Sequence, residues 1–199
     1  FGSVRSLTTS NPLSQDQFYL GLIGNLPTVW QDYRGQGVTV AVYDNGVDYR
    51  HEDLDGNYNA ALHVVLNGQT LDPFPEPIQP GQEPNAHGTA VAGIIAAENN
   101  AVGVIGIAHE AALTGVNVFS TQIDEATLAP VVFQAVRNFD VTNHSYGPDP
   151  NFGAAANFQT GPGVPLFIEA LQTGRDGLGT ISFVSAGNSI GNTNGGDFT

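Results

Sequence analysis

The sequence contains no cysteine, no methionine and no lysine, and its five basic residues are all arginine. Without cysteine there are no disulfides, although that absence does not identify a compartment. Nineteen acidic residues face the five arginines, for a net charge of -14. Such a balance argues against nucleic acid or an anionic membrane as partner. It suits solubility in salty water and the binding of divalent cations. No run approaches the roughly eighteen apolar residues of a membrane span. No H-E-x-x-H occurs, which removes the zinc-peptidase reading. A chain that starts at Phe1 and has no methionine is expected to be a processed product or an excerpt, with any signal or pro-segment already gone. What is present is 199 residues, 41% of them hydrophobic, enough for one domain with a sizeable core.

Apolar runs and turn signals predict strands over 38–44, 112–119, 141–146 and 180–186, and helices over 87–97, 123–138 and 164–174. Pro130 interrupts the second helix and marks a kink or a later start. Alternation of this kind predicts an α/β domain, a parallel sheet with helices on both faces. In such sheets sites form at the carboxyl ends of the strands. Asp44, Ser145 and Asn188 all fall at such ends.

Ala86 to Ala97 is the most informative stretch. His87-Gly88-Thr89 opens a run in which Ala90, Ala92, Gly93, Ala96 and Ala97 let a helix pack tightly. His87 then sits at the helix start, where a neutral imidazole can reach a hydroxyl. Alone, such a histidine reads as a cap or a satisfied core group. Likewise Asp44-Asn45-Gly46, after the β-branched run Val38–Val42, reads by itself as a turn. A carboxylate at that strand tip can also accept the Nδ1 proton of a histidine and hold the ring as a general base.

Two further blocks follow, Ser145-Tyr146-Gly147-Pro148 and Ser185-Ala186-Gly187-Asn188. The four blocks, in this order, resemble those of the subtilisin-like serine peptidases, and more finely the kexin and furin branch. Gly174-Arg175-Asp176-Gly177-Leu178-Gly179 strengthens that likeness, which runs from about Asn11 to the last residue. The resemblance implies a subtilisin-like parallel sheet and a secreted, extracellular serine endopeptidase acting on polypeptides. It makes Asp44 the orienting acid, His87 the base and Asn188 the oxyanion donor. It gives Ser145, Tyr146 and Gly147 to the substrate strand. That branch in animals is usually disulfide-bonded, so a bacterial relative is expected. The family's nucleophile lies in Gly-Thr-Ser, which does not occur here; the only Gly-Thr pairs are Gly88-Thr89 and Gly179-Thr180. Residues 1–199 are therefore expected to be the N-terminal part of a catalytic domain, incomplete at the C-terminal side and inactive alone. The remaining C-terminal part is the expected partner. A non-catalytic fragment or pseudo-enzyme that binds peptides is the alternative.

Resemblance also implies calcium (Ca2+). The loop Glu98-Asn99-Asn100-Ala101-Val102-Gly103-Val104 would supply the Asn100 side chain and the carbonyls of Glu98, Val102 and Val104, with Asp53 joining from afar. Oxygen-only ligation suits a hard cation. Asn11 stands where the branch more often has Asp. The other reading of this loop is an Asn-rich helix C-cap. The Pro-rich segment 67–84 is read as a loop, either a surface insertion or a second calcium loop using Asp72, with Phe74 replacing another acid.

The basic-reading acids of the branch are not intact. Pro150, Leu128 and Ser120 occupy three of their positions, leaving Asp149 and Asp197 to draw a basic side chain. Asp197 lies in the Gly- and Asn-rich stretch 191–199, which reaches toward substrate or frays. His144 reads as packed within its strand, Tyr146 as a pocket wall, and His51, His63 and His109 as surface residues.

Overall fold

The computed structural model describes residues 9–77, 81–121, 123, 124, 127, 131, 134–146 and 163–185. Four strands form one sheet: β1 (Thr39–Asp44), β4 (Ala112–Asn117), β5 (Val141–His144) and β6 (Ile181–Val184). Their order is β4-β1-β5-β6 and every pairing is parallel. β1 lies second in that order, and five of its six residues are buried. A strand covered on both faces should be apolar almost throughout, which accounts for its unbroken Val-Ala-Val-Tyr. The register sets Asp44 beside Asn117 and Tyr43 beside His144, and thereby gathers the strand tips at one edge.

Side chains alternate across β1. Ala41 and Tyr43 join Val116, Val131, Val136, Phe139 and Ala170 on one face. Val42 joins Val47, Leu54, Leu113, Ala92 and Ala96 on the other. Ala92 and Ala96 belong to α3 (His87–Ala96), and Ala170 to α4 (Gly163–Thr173), so helices cover both faces. Ala92, Ala96 and Ala97 are buried, and their lack of bulk lets α3 lie close to the sheet. Ala90 is exposed, contrary to the packing expected of it, because the contact face of α3 runs through 92 and 96.

All four predicted strands are shorter at their ends than the sequence suggests; of 180–186, Ile181–Val184 form β6, Thr180 and Ser185 lie outside the strand, and Ala186 lies outside the described residues. Of the predicted helix 123–138, Asp124 and Thr127 cap each other through paired side-chain–backbone bonds of 3.0 and 2.9 Å. A 3-10 turn follows at Ala135–Asn138, while Pro130 lies outside the described residues. The stretch read as a loop from 67 opens with a hairpin instead. β2 (Val65–Leu66) and β3 (Gln69–Thr70) pair antiparallel across Asn67-Gly68, both with positive φ, the conformation that an Asn-Gly hairpin turn requires.

The N-terminal segment carries α1 (Tyr19–Leu22) and α2 (Leu26–Val29). Leu20, Leu26 and Trp30 bury against Ile105. The Gln17 amide clamps the backbone of Ile105, accepting from its N–H at 2.9 Å and donating to its carbonyl at 2.8 Å. His109 is 5% exposed, with its ring edge-on to Trp30 at 4.9 Å; its expected surface position is overturned because Trp30 covers it. No helix among the described residues is long and apolar enough to cross a membrane.

The sheet's packing carries a direct test. Leu113 is fully buried under α3, whereas Ile181 on β6 is half exposed. Leu113→Ala should cost about 2–5 kcal/mol through lost transfer energy and an unfilled cavity. Ile181→Ala should cost under about 1 kcal/mol. Urea midpoints at unchanged slope measure both.

Candidate active site

Asp44 ends β1 and His87 begins α3, so the parallel register and the crossing of α3 bring them together. His87 Nδ1 lies 2.8 and 2.9 Å from the two Asp44 carboxylate oxygens. The carboxylate is nearly inaccessible at 4% exposure, whereas the histidine side chain is 53% exposed. A buried acid on the inner side of an accessible imidazole fixes the Nδ1–H tautomer and leaves Nε2 facing solvent as an acceptor.

Local chemistry holds this pair in place. The first N–H groups of a helix have no intrahelical partners. Here Asn85 Oδ1 accepts from the His87 N–H and Asn45 Oδ1 from the Gly88 N–H, both at 2.9 Å. Asn45 also donates its own N–H to Asp44 at 2.8 Å. Gly88 has no side chain for a stereochemical reason: a Cβ there would collide with the Gly46 carbonyl and the Asp44 Cβ. Asn45 and Asn85 were not singled out as site residues by sequence reasoning. Their signal was an amide flanking each half of the pair.

A groove of about 570 Å³ opens in front of the pair. Ser145 and Tyr146 line it, with Asn117 at the end of β4 and Phe119 and Thr121 just beyond it. Burial, and secondarily the Asp44 charge, raise the Tyr146 phenol above its ordinary range, so it serves as a neutral wall. Its hydroxyl lies 3.2 Å from His144 Nδ1, and Thr142 Oγ1 lies 3.1 Å from Nε2. The His144 ring stacks on Tyr43 at 4.5 Å. Gly147, Asp149, Asn188 and Asp197 lie outside the described residues, as do Leu128 and Pro150.

The other groove wall was not foreseen. Segment 71–77, read as a surface insertion or a calcium loop, docks against the strand tips. The Pro73 carbonyl accepts from Val47 N–H at 2.9 Å, and a Cβ on Gly46 (φ 105°) would strike Pro73 and Pro75. Glu76 and Pro77 then line the groove. Asp72 stands apart from the Asn100 loop. Its Oδ1 accepts from the Phe74 N–H at 3.0 Å, and it neighbours Tyr49. Phe74 carries the Arg50 guanidinium over its ring at 3.9 Å. A cationic group is thus stacked on the segment that carries Asp72.

The Asn100 loop does converge. Asn11 Nδ2 donates to the carbonyls of Glu98, Val102 and Val104 at 2.7, 2.6 and 2.5 Å and lies 3.5 Å from Asn100 Oδ1. Asp53 is 5% exposed; one oxygen accepts from Val104 N–H at 3.1 Å, and Oδ1 has no hydrogen-bond partner. The Glu98 carboxylate points away, accepting from the Gly56 N–H at 2.6 Å. Three carbonyls, one amide oxygen and an unsatisfied buried carboxylate oxygen form a donor set that fits a hard cation. Asn11 departs from expectation: it turns its nitrogen, not its oxygen, to this set, and an amide N–H cannot ligate a metal.

Comparison with known proteins agrees with this geometry. Residues 35–197 match the model of the subtilase family, Peptidase_S8, and the chain belongs to that family. It is 34% identical over 191 residues to furin-like protease 2 of Drosophila melanogaster, and 30% identical over 185 residues to human furin. These matches cover 89% and 90% of the chain but 11% and 23% of the two relatives. The crystal structure of the serine protease of Aeromonas sobria superposes with a TM-score of 0.66 at 30% identity, over 94% of this chain and 34% of that one.

Burial lowers the His144 pKa to about 4. The unfolded chain, with an ordinary histidine near 6.5, binds a proton between these values while the folded chain does not. Stability should therefore fall as pH drops from 6.5 to 4, by at most roughly 3 kcal/mol from this residue. His144→Phe should flatten that part of the profile. An unchanged slope in thermal unfolding against pH would show that His144 is not its source.

Proposed function

We propose that this chain is the Asp–His half of a secreted serine endopeptidase. The observation that carries the reading is the buried Asp44 carboxylate spanning Nδ1 of an accessible His87 at the edge where the parallel strands end. The attacking hydroxyl would come from a Gly-Thr-Ser segment, which these 199 residues do not contain. His87 Nε2 takes the serine proton as the oxygen attacks the scissile carbonyl, and the charge now on the ring is met by Asp44. The same proton passes to the leaving amine as the peptide bond breaks, giving an acyl-enzyme. A water then attacks the ester with His87 again as base, releasing the carboxylate product and restoring the serine. Asn188 is assigned as a donor to the oxyanion. The backbone at Ser145–Gly147 pairs with an extended polypeptide, the tyrosine forming a wall of its subsite. Secretion is proposed from the family resemblance.

Calcium is proposed as a structural ion. Asp53, Asn100 and the carbonyls of Glu98, Val102 and Val104 would hold it, with Asn11 joining only through its amide oxygen. Bound there, the ion would tie the N-terminal segment and the residue-53 turn to the loop that follows α3.

In the full-length protein, fluorophosphonate should label the serine. His87→Ala should abolish labelling and lower kcat by several orders of magnitude, since the proton carrier is gone. Asn188→Ala should lower kcat by about 10²–10³ with KM little changed. Near-normal turnover in either variant would refute the role assigned to that residue.

The calcium site predicts a Tm that rises with free calcium by mass action. Asp53→Asn should reduce the rise. Sodium chloride at matched ionic strength controls for screening among the carboxylates; equal stabilisation by both salts would remove the specific site.

A further inference from the structure

Thr142, His144 and Tyr146 are spaced by two along β5 and its continuation, so their side chains fall on one face. They form a hydrogen-bonded chain that runs from the sheet interior to the groove. Ser182 Oγ on β6 lies 2.6 Å from Thr142 Oγ1, which lies 3.1 Å from His144 Nε2. His144 Nδ1 in turn lies 3.2 Å from the Tyr146 hydroxyl. Burial keeps the imidazole neutral, its pKa lowered to about 4, so one ring nitrogen donates and the other accepts. A hydroxyl can do either, so both nitrogens are satisfied whichever way the chain is directed. Aromatic rings grip the imidazole as well: Tyr43 stacks on it at 4.5 Å, and Phe167 meets it edge-on at 5.8 Å. At the far end of the chain the Tyr146 ring lines the groove, and Phe119, also on the groove wall, stands edge-on to it at 6.0 Å. The backbone here is tied to the β6 side too. Ser185 N–H donates to the His144 carbonyl at 3.0 Å, and the Ser185 hydroxyl donates to the Tyr146 carbonyl at 3.3 Å.

We infer that His144 is a positioning residue for substrate binding: acting through the Tyr146 hydroxyl, it locks the aromatic wall of the groove in the place where a polypeptide is received. The inference rests on the peptidase reading above and adds to it a residue buried behind the groove rather than lining it. A wall fixed before the peptide arrives loses no rotamer freedom when the peptide binds. A hydroxyl turned into the protein costs free energy unless it is paired, so Tyr146 needs His144 as much as it is held by it. The wall meets the peptide alike in the ground state and the transition state, so loosening it falls on KM rather than on kcat.

The test uses the full-length protein and an octapeptide chosen from a quenched-fluorescence library. His144→Phe, which keeps a ring and removes both nitrogens, should raise KM about fivefold or more, with kcat within about twofold. Its rate of fluorophosphonate labelling, which needs only the serine and its base, should also stay within about twofold. Tyr146→Phe, which removes only the hydroxyl, should raise KM by a like factor. The double variant should raise it no further than either single, because the two changes delete one interaction. Urea midpoints report folding separately; a purely structural His144 lowers the midpoint and leaves KM where it was. An unchanged KM in Tyr146→Phe, or single effects that multiply in the double variant, overturns the inference while leaving peptidase activity standing. Tyr146→Phe decides alone if His144→Phe does not fold. A wild-type protein that cleaves no peptide removes the peptidase reading, and this inference with it.

Discussion

A carboxylate buried at the tip of a central strand has to be satisfied, and that requirement organises this molecule. Asp44 accepts from Asn45 N–H and faces His87 Nδ1, so two of its neighbours along separate elements answer one buried charge. The contact is possible only because α3 approaches the strand tip at Gly88, where any side chain would strike Gly46 and Asp44. The amides of Asn45 and Asn85 then absorb the exposed N–H groups of the helix start. Removing water from one side of the pair while leaving the other open separates the two ring nitrogens into a fixed one and a working one.

The groove inherits its character from what packs against that tip. The register of β1 with β4 and β5 sets Asn117 and Tyr146 on either side of the pair. Segment 71–77 completes the enclosure by docking its prolines on Gly46 and Val47. Beneath Tyr146, His144 stays neutral in its burial and links the wall to Thr142, which in turn meets Ser182 at 2.6 Å. The groove's wall is thus continuous with the sheet rather than with a loop that moves alone. On the far side of α3, Asn11 and Asp53 gather the loop that ends the helix, so the element carrying His87 is held at both ends.

How much of this could be read in advance depended on sequence distance. β1 was legible because a strand buried on both faces must be written as an apolar run. The start of α3 was legible because a histidine, a glycine and small residues fall in a few consecutive positions. Asp44 and His87 could be paired through the order of the four blocks and the family those blocks resemble, since each alone reads as a turn or a cap. The place of Glu76 in the groove wall could not be read, because Ser120 and Thr121, which donate to its carboxylate, lie 44 and 45 positions away. His109 looked like a surface residue until Trp30 covered it. Asn11 was expected to offer an oxygen to a cation and instead offers its nitrogen to three carbonyls from residues 87 to 93 positions distant.

The sequence by itself determined the period and polarity of the main elements, the residue types able to carry a proton, and the acidic, cysteine-free surface. These are local properties, set by backbone preference and side-chain chemistry within a few residues. Tertiary structure alone decided which acids face the groove and which serve as struts. It placed Asp72 against Phe74 and Tyr49 but Glu76 in the groove wall, although the two lie in one short segment. The physical reason is that a carboxylate's role follows from the donors and the dielectric around it, and here those are supplied by elements that only the folded sheet brings together.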